Sequence, residues 1–563
     1  MTAISKRLLS LALSLIMMFG ALSVTSLAAE ETQPVNPVGN ELLKSLESIL
    51  SSGLAVAANP KAGLDSSVNV ALDLQAGNGT LYLPGQAKES NLRLCWDDTA
   101  ITLSRNGKTY KSGTAPVAPE GETIRYEVRK GPFSGSLTIR TRKGSAGVAP
   151  MYLNLDESKG TVAAMNLDPD HETLCYGTVR VDDLEKDISI KGRGNSSWVF
   201  PKKPYNFTIY KNSKYDDKKK AELIPGVKAK KWSLLSNYVD SSLLRNKVAM
   251  DLANDMGIGL ETRFVDLWMN GDYLGNYLLT PKKDANSPDG GFIIENDHIP
   301  ATGSDAVDQF DFPNIYVMPG KHNVINIDDI GDDAKAKGVT KASIEKYFKK
   351  AWNTVLDYDS EEYQKYFDID SFAKLYLMIE VSKTYDCYAG NIIMRRRGLS
   401  KKDKLVAGPA WDYDVAFGRT LHKFLVGMPE DIQLNAEGWY NDNVGILYNT
   451  EEPITIMQGL ARHKSFQKQI VKVYREYKWA FDDLSVNVTR QSKVIRDSAR
   501  MNNALWLTNH PGAEYVVAPN TMQLLGTGKY KLEYEITTTW SSYVRNLREY
   551  CTKRVLWLSD QLA

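Results

Sequence analysis

The sequence predicts an α+β protein in which a small all-β, sandwich-like domain precedes a larger mixed part that becomes helical toward its C-terminus. Residues 66–146 contain short β-rich runs, among them NVALDL, TIRYEVR and SLTIRTR, separated by turn signals such as GNG and PEGE. From residue 147, strand-like runs alternate with segments whose apolar residues recur at helical spacing. A chain of 563 residues exceeds one ordinary core, so about two to four structural units are expected.

The first 29 residues have the composition of a signal peptide. Lys6 and Arg7 precede an apolar core at residues 8–24, and Ala28 and Ala29 offer small residues for cleavage. An uncleaved anchor is the alternative, but no basic stop-transfer cluster follows. No later segment approaches the ~18–20 uninterrupted apolar residues that a spanning helix needs. We therefore expect a secreted, extracellular protein without a membrane span, in solution or associated with the cell surface.

Composition excludes several classes of partner and site. The 69 basic and 68 acidic residues balance, which gives no basis for binding nucleic acid or an anionic membrane. Four scattered cysteines, without any CxxC spacing, argue against zinc and thioredoxin-like sites. Their disulfide pairing is left open, and burial as small apolar side chains is the alternative, favoured for Cys387. Six scattered histidines argue against a histidine-rich metal site.

The elements follow in order along the chain. Residues 30–65 are predicted to be a linker with a short amphipathic helix, and residues 66–146 a β-rich accessory domain with a hairpin at Asn106-Gly107. That domain carries no acid–base cluster and is interpreted as a binding or spacer module.

The mixed part begins with the strand candidates MYLNL, GTVRV, ISIKG and YNFTIY. A helix is predicted over Ser241–Met256, ended by Gly257. The runs FVDLWMN and YLGNYLL are predicted strands joined at Gly271-Asp272. A helix-rich region follows from Lys341 and continues to the C-terminus.

An acidic cluster between Asp386 and Asp414 carries the strongest chemical signal. Asp386 is followed five residues later by Asn391, and Asp412 and Asp414 come about twenty residues on. Phosphoryl transfer needs a carboxylate that positions the attacking hydroxyl and oxygen ligands that hold Mg²⁺ against the phosphates. Gly408-Pro409 favours an extended stretch, in which Asp412 and Asp414 would share a face. A surface turn is the alternative; the segment lacks the order of a calcium loop.

Basic residues upstream provide the complementary charge. The segment GRGNSSWVFPKKPY places Arg193, Lys202 and Lys203 around a small turn, whose amides and nearby cations could receive phosphate oxygens. Arg245 and Lys247 lie on the following predicted helix. The alternative is a sharp turn with solvated basic residues.

Five motifs in this order resemble the CotH kinase family, the spore-coat-protein-H-like atypical secreted kinases of bacteria and some fungi. They are GRGNSSW followed by PKKPY, WSLLSNYVDSSLLRNKVAMDLANDMG, RFVDLWMNGDYLGNYLL, GGFIIEND and GPAWDYDVAFG. The resemblance extends over residues 147–563, which are therefore expected to form one CotH kinase-like domain.

The resemblance implies an atypical protein-kinase-like fold that binds ATP with Mg²⁺ or Mn²⁺ and phosphorylates Ser, Thr or Tyr hydroxyls of spore-coat, cell-surface or secreted proteins. It assigns catalysis to Asp386 and Asp414, and metal binding to Asn391, Asp412 and Asp414. The nucleotide-binding residues that it implies are Arg193, Lys202, Lys203, Arg245, Lys283 and Trp411, where Trp411 as part of the core is the alternative.

Two departures from the family keep a second hypothesis open. Pro281 stands where relatives often carry an acidic sequence, and Cys387 and Gly390 flank Asp386 differently. The alternative is therefore a catalytically inactive kinase-fold protein with a structural or adhesive role at the cell surface. A third option retains the site but transfers another group, such as a nucleotidyl moiety.

Overall fold

The protein is α+β with a β-rich N-terminal region, as predicted. The computed structural model describes residues 46–47, 50–194, 196–284, 288–297, 308–318, 321–384, 390–418, 435–441, 455–506, 523–524, 530–531 and 539–563. The predicted signal peptide, residues 1–29, lies outside the described residues.

The N-terminal region is one nine-stranded sheet over its own apolar core. The strand order is β6-β5-β8-β9-β3-β2-β1-β4-β7, with β3 and β9 parallel. The short β1 pairs with both β2 and β4, so the ladders continue through it into a single sheet. The strands are β1 (Ala55–Val56), β2 (Val68–Asp73), β3 (Asn78–Leu83), β4 (Arg93–Cys95), β5 (Ile101–Arg105), β6 (Lys108–Tyr110), β7 (Ala115–Pro116), β8 (Thr123–Lys130) and β9 (Phe133–Lys143).

Alternation along these strands separates core from surface. In β8, Ile124, Tyr126 and Val128 are buried between exposed neighbours, the period-2 pattern of a sheet with one covered face. The predicted hairpin is confirmed, since Asn106 and Gly107 join β5 to β6 with φ of 51° and 77°, the geometry favoured in two-residue turns. The sheet starts at β1, inside the range predicted to be a linker.

The next region is a closed seven-stranded barrel, in the order β10-β11-β12-β13-β16-β18-β17. The parallel pairing of β10 with β17 closes the ring, and the enclosed side chains form a separate core. A short helix α1 (Val162–Leu167) and the hairpin β14–β15 lie outside the ladder. The strands are β10 (Ala149–Leu155), β11 (Cys175–Val181), β12 (Leu184–Gly192), β13 (Tyr205–Ile209), β14 (Ala221–Ile224), β15 (Val227–Ala229), β16 (Lys231–Leu235), β17 (Arg263–Met269) and β18 (Asp272–Pro281).

Helix α2 (Arg245–Asp255) interrupts the barrel between β16 and β17. The sequence-predicted helix over 241–256 is thus confirmed, with four fewer residues at its start. Gly257 follows with φ of 76°, the left-handed conformation that commonly ends a helix. The helix packs its buried face into the largest apolar core of the protein.

That largest core lies between a five-stranded sheet, β20-β21-β19-β22-β23, and the C-terminal helices. The predicted helix-rich region is confirmed, and its first long helix begins at Lys341. The elements are β19 (Phe292–Asp297), β20 (Gln309–Met318), β21 (Lys321–Ile330), α3 (Asp332–Ala336), α4 (Lys341–Val355), α5 (Ile369–Ser382), β22 (Ile392–Arg396), β23 (Leu405–Ala407), α6 (Ile456–Ala461), α7 (Lys464–Trp506), β24 (Gln523–Leu524), β25 (Tyr530–Lys531) and α8 (Trp540–Leu562).

Helix α7 connects all three regions. Its 43 residues extend about 65 Å at 1.5 Å per residue. The Ser498 hydroxyl donates to Asp266 in the barrel at 2.6 Å and accepts from the Ser145 amide at 2.8 Å. Near its end, Met501 enters the core of the N-terminal sheet. The sheet, barrel and helical part are therefore held on one common element.

Among the described helices, none has a stretch long and apolar enough to cross a membrane. The described cysteines, Cys95, Cys175 and Cys551, are free thiols, and the last two are buried. Cys387 lies outside the described residues.

Candidate functional site

Helix α2 fixes the backbone of the acidic loop, residues 411–418. The Tyr413 amide donates to the Asn246 side-chain oxygen at 2.7 Å. The Arg245 guanidinium donates to the Ala416 carbonyl at 2.8 Å. Both helix side chains are buried, so each loop contact replaces water and is costly to break.

The acidic loop is not the extended stretch that the sequence predicted. Asp412 has φ of 67°, and a turn begins at Asp414. The contacts from α2 hold the backbone in this conformation, which is uncommon for a non-glycine residue and costs about 1–3 kcal/mol where the surroundings impose it. Both carboxylates are half-buried, whereas Trp411, Tyr413 and Val415 are buried.

The basic turn, residues 192–204, contacts the acidic loop through a cation–π interaction. The guanidinium carbon of Arg193 lies 5.6 Å from the ring centre of Trp411, within the range of a cation–π interaction. More than two hundred residues separate them in the chain. The structure thus brings together two of the residues that the sequence assigned to the site.

Lys203 lies in the same turn. Its ammonium donates to the Trp198 carbonyl at 2.5 Å and lies 4.9 Å from the Trp198 ring centre. Trp198 is seated directly on Gly192, where an added Cβ would lie 2.4 Å from the indole. Burial lowers the pKa of Lys203, and the side chain stays partly exposed.

Lys202 points the opposite way, into the protein. Its ammonium donates to the Asn276 carbonyl at 2.5 Å and to the Asn502 side chain at 2.7 Å, and it lies 4.6 Å from the Tyr277 ring centre. It is fully buried, and burial lowers its pKa well below the ordinary lysine value. These contacts join the basic turn to β18 and α7.

Arg245 is also held inside. Its guanidinium pairs with Asp240 at 2.6 Å, in addition to the bond to Ala416. The side chain is 4 % exposed and that of Asp240 0 %. Asp240 further accepts from the Ser242 hydroxyl at 2.7 Å, so the pair is closely hydrogen-bonded, as a buried ion pair requires.

Lys283 lies after β18 in a cluster of carboxylates from neighbouring strands. It bonds Glu295 of β19 and lies 3.4 Å from Asp328 of β21. Although burial favours the neutral amine, the charges of Glu295 and Asp328 raise the pKa of Lys283. Burial raises the pKa of Glu295 as well, and the charges of Asp297 and Asp412 add to that effect. The cluster is therefore electrostatically linked to the acidic loop.

Burial likewise raises the pKa of Asp328, to about 7, against the effect of Lys283. The Oε1 atom of Glu295 is buried without a hydrogen-bond partner among the described residues. A buried carboxylate oxygen without a hydrogen bond costs free energy, and carboxylates with shifted pKa values concentrate at functional sites.

Asn391 directly precedes β22, which pairs with β19 next to the lysine–carboxylate cluster, with Ile392 opposite Asn296. Its φ of 55° is left-handed, as at Asp412. Asp386, the residue assigned to catalysis, lies outside the described residues.

The donor chemistry of the predicted metal set suits Mg²⁺. Asn391, Asp412 and Asp414 offer one amide and two carboxylates, the hard oxygen ligands that Mg²⁺ prefers when it retains several waters. Within the ranges that the structure describes, no group of three or more His, Cys, Asp or Glu side chains is placed to hold a metal ion. Asn391, Asp412 and Asp414 would therefore hold Mg²⁺ together with water.

Sequence reasoning did not single out Glu295, Asp328 or Asn246. The run FIIEND contains a signal for Glu295, because an acidic residue directly follows three apolar residues within a buried strand. Asp328 follows the alternating run VINI in the same manner. Asn246 carries no comparable signal, because its role depends on a loop 167 residues away.

The comparisons with known proteins point to the same family as the sequence motifs. The family model described as CotH kinase protein matches residues 190–558. The chain is similar to the inner spore coat protein H of Bacillus subtilis (strain 168), with 23 % identity over 262 residues, 43 % of this chain and 62 % of that protein. The match thus spans less than two thirds of the relative's length. Because the family model covers well over half of the sequence, the chain belongs to the CotH kinase protein family.

Proposed function

We propose that this chain is a secreted, Mg²⁺-ATP-dependent kinase that phosphorylates Ser, Thr or Tyr hydroxyls of cell-surface, spore-coat or secreted proteins. One observation carries the proposal: Arg193 stacks on Trp411, so the cationic turn lies beside the loop that contains Asp412 and Asp414. Phosphoryl transfer depends on such a meeting of cations for the phosphates and carboxylates for the metal. Membership of the CotH kinase protein family supports it.

In this proposal the acidic loop supplies the metal ligands. Asp412 and Asp414, with Asn391, hold Mg²⁺, and Asp386 accepts the proton of the attacking hydroxyl. Bound Mg²⁺-ATP would supply the transferable phosphoryl group and neutralise its charge. The fixed backbone of the loop keeps the ligands pre-organised, so little reorganisation is needed during transfer.

Arg193 and Lys203 are the proposed phosphate-binding residues, since both belong to the basic turn and stay partly exposed. Lys283, held by Glu295 and Asp328, is proposed to contact the nucleotide as well; a lysine oriented by a carboxylate recurs in protein kinases. For Lys202 and Arg245, whose donors already have protein acceptors, we propose positioning roles.

The proposed location rests on the leader-like N-terminus and on a relative named as an inner spore coat protein.

The test is a transfer assay with purified protein lacking residues 1–29. With γ-labelled ATP and Mg²⁺, we expect label on the protein itself or on a surface protein, and loss of label in Asp386→Ala and Asp414→Ala. Asp359→Ala, an exposed aspartate after α4, is the matched control and should retain label. Label that persists in both site variants would refute the assignment.

The alternative proposal is an inactive kinase-fold scaffold with a structural or adhesive role, and the large N-terminal sheet favours it. A thermal shift separates the two. A kinase should gain about 2.7 kcal/mol of unfolding free energy at ATP concentrations near 100 Kd, whereas a scaffold gains none with either Mg²⁺ or Mn²⁺. Mass spectrometry of any modified product distinguishes phosphoryl from nucleotidyl transfer by the added mass.

A further inference from the structure

A polar groove of about 390 Å³ lies on the outer face of the N-terminal sheet, beside the end of α7. Its floor is formed by β2, β3, β9 and the start of β8, and Ala504 of α7 lines one side. The volume falls in the range of ligand sites, but the lining is polar where most small-molecule sites are apolar.

Two arginines dominate the floor. Arg140 and Arg142 project from β9 on the face opposite the buried Ile139 and Thr141. The register places Arg140 between Thr80 and Thr123 of the neighbouring strands, and all three residues line the groove. Arg140 is exposed and Arg142 half-buried.

Neither guanidinium is neutralised inside the protein. In the part of the chain that the structure describes, no carboxylate lies within ion-pair distance of Arg140 or Arg142, whereas three other cations of this domain, Arg129, Lys130 and Lys143, form such pairs. The one acidic residue that lines the groove is Asp73. The groove thus carries a net positive charge on a nearly neutral protein.

The floor is also rigid. Tyr82, beside Arg142 in the register, is buried and stacks on Tyr273 of the barrel with ring centres 4.8 Å apart. A floor packed against the barrel in this way loses little conformational freedom on binding, which favours affinity.

We propose that this groove binds an extended acidic peptide segment of a partner protein, with anionic side chains at alternate positions. Residues two apart on a strand lie about 6.6–6.8 Å apart on the same face, and alternate side chains of an extended peptide repeat at the same distance. Two such anions therefore match Arg140 and Arg142 in register. The guanidinium group of arginine binds carboxylates and phosphates through two parallel hydrogen bonds. Clusters of arginines recognise acidic and phosphorylated motifs.

Binding is measured by fluorescence anisotropy on the full mature chain without nucleotide, so the result does not depend on the proposed kinase activity. The probes are labelled peptides of alternating glutamate and alanine, of alternating phosphoserine and alanine, and of alternating glutamine and alanine. A fourth probe carries glutamates at every third position, which turns successive charges to opposite faces of an extended chain.

We expect saturable binding of the alternating glutamate or phosphoserine peptide, and weaker binding of the other two. Arg140→Gln and Arg142→Gln should each weaken it by about tenfold, the effect of one lost charge-assisted contact. Arg105→Gln, an equal charge change at the distant β5–β6 hairpin, should leave it unchanged. Unaltered thermal midpoints of the variants establish that they fold.

The anionic peptide that binds more tightly shows whether the groove prefers carboxylate or phosphate groups on its partner. The proposal is overturned if no acidic peptide binds saturably, if Arg105→Gln weakens binding as much as the groove variants, or if the glutamine peptide binds equally well. Tighter binding to DNA or to anionic phospholipid vesicles, with the same dependence on Arg140, would also overturn it.

Discussion

Arg245→Met tests whether the acidic loop is held in place from helix α2. The substitution keeps the length and apolar stem of the side chain but removes its bonds to Asp240 at 2.6 Å and to the Ala416 carbonyl at 2.8 Å. The Asp240 carboxylate then stays buried without its cation. The loop also loses a contact that α2 makes with its backbone.

The structure sets the expected size of the effect. Both partners of the pair are at most 4 % exposed, and removal of one partner of a buried pair typically costs about 3–5 kcal/mol. That is a large part of the total stability of a typical domain, about 5–15 kcal/mol. Lys247→Met on the same helix is the matched control. Its pair with Asp251 is partly exposed, so the expected cost is about 1 kcal/mol or less.

Urea denaturation of the two variants, without nucleotide, measures these costs as changes in the free energy of unfolding. A thermal shift with ATP and Mg²⁺ then reports on the site. For a positioning role, Arg245→Met should lower the stability of the free protein by at least 3 kcal/mol and also reduce the nucleotide-dependent shift. Lys247→Met should preserve most of the stability of the free protein and most of the nucleotide-dependent shift.

Unfolding of Arg245→Met at the same urea concentration as the parent protein would show that Arg245 does not hold the acidic loop. If the free protein keeps its stability and only the nucleotide-dependent shift disappears, Arg245 contacts the nucleotide directly, as the family resemblance implied.

Three further predictions concern the same framework. Burial raises the pKa of Asp266 to about 6, so the folded state retains this proton to higher pH than the unfolded chain. Its contribution to stability is greatest below pH ~4 and declines by about 3 kcal/mol as the pH rises through 6. The stability of the parent protein relative to Asp266→Asn, measured by denaturation at pH 4 and pH 7, should fall by that amount. A difference that is constant with pH would contradict it. Arg554→Met in α8 breaks a fully buried pair with Glu380 and should cost about 3–5 kcal/mol, against little for the exposed Arg548→Met; equal urea midpoints would disprove this. Gly192→Ala places a Cβ against Trp198 and should cost about 1–3 kcal/mol by overpacking, with altered tryptophan fluorescence. Gly147→Ala, which meets no atom within 4 Å, should be neutral, and the idea is rejected if the two glycine variants behave alike.

Local patterns in the sequence predicted many of the individual elements. The Asn106-Gly107 turn, the strands on either side of Gly271 and the helix ended by Gly257 all occur as expected. Each depends on interactions within a few residues, such as backbone conformation at a turn or the period of apolar side chains. The family motifs are local in the same sense, since each can be recognised within a single stretch of chain.

Contacts between distant segments were decided by the tertiary structure. Closure of the barrel depends on the pairing of β10 with β17, and a β-rich pattern does not specify which strands meet. Lys202 and Lys203 are adjacent and chemically identical, yet one is buried against α7 and the other remains partly exposed. Neighbouring side chains of a turn project in different directions, and only the packing partner determines which of them is core.

The acidic loop shows the same division. Its residues and their order pointed to an oxygen-rich site, because carboxylates and an asparagine are the ligands that such chemistry needs. Its conformation, by contrast, depends on Arg245 and Asn246, and its cationic neighbour Arg193 arrives from the barrel. The sequence by itself determined which chemical groups are present, and the tertiary structure decided which of them face each other, since burial and long-range contact arise only when the chain is packed.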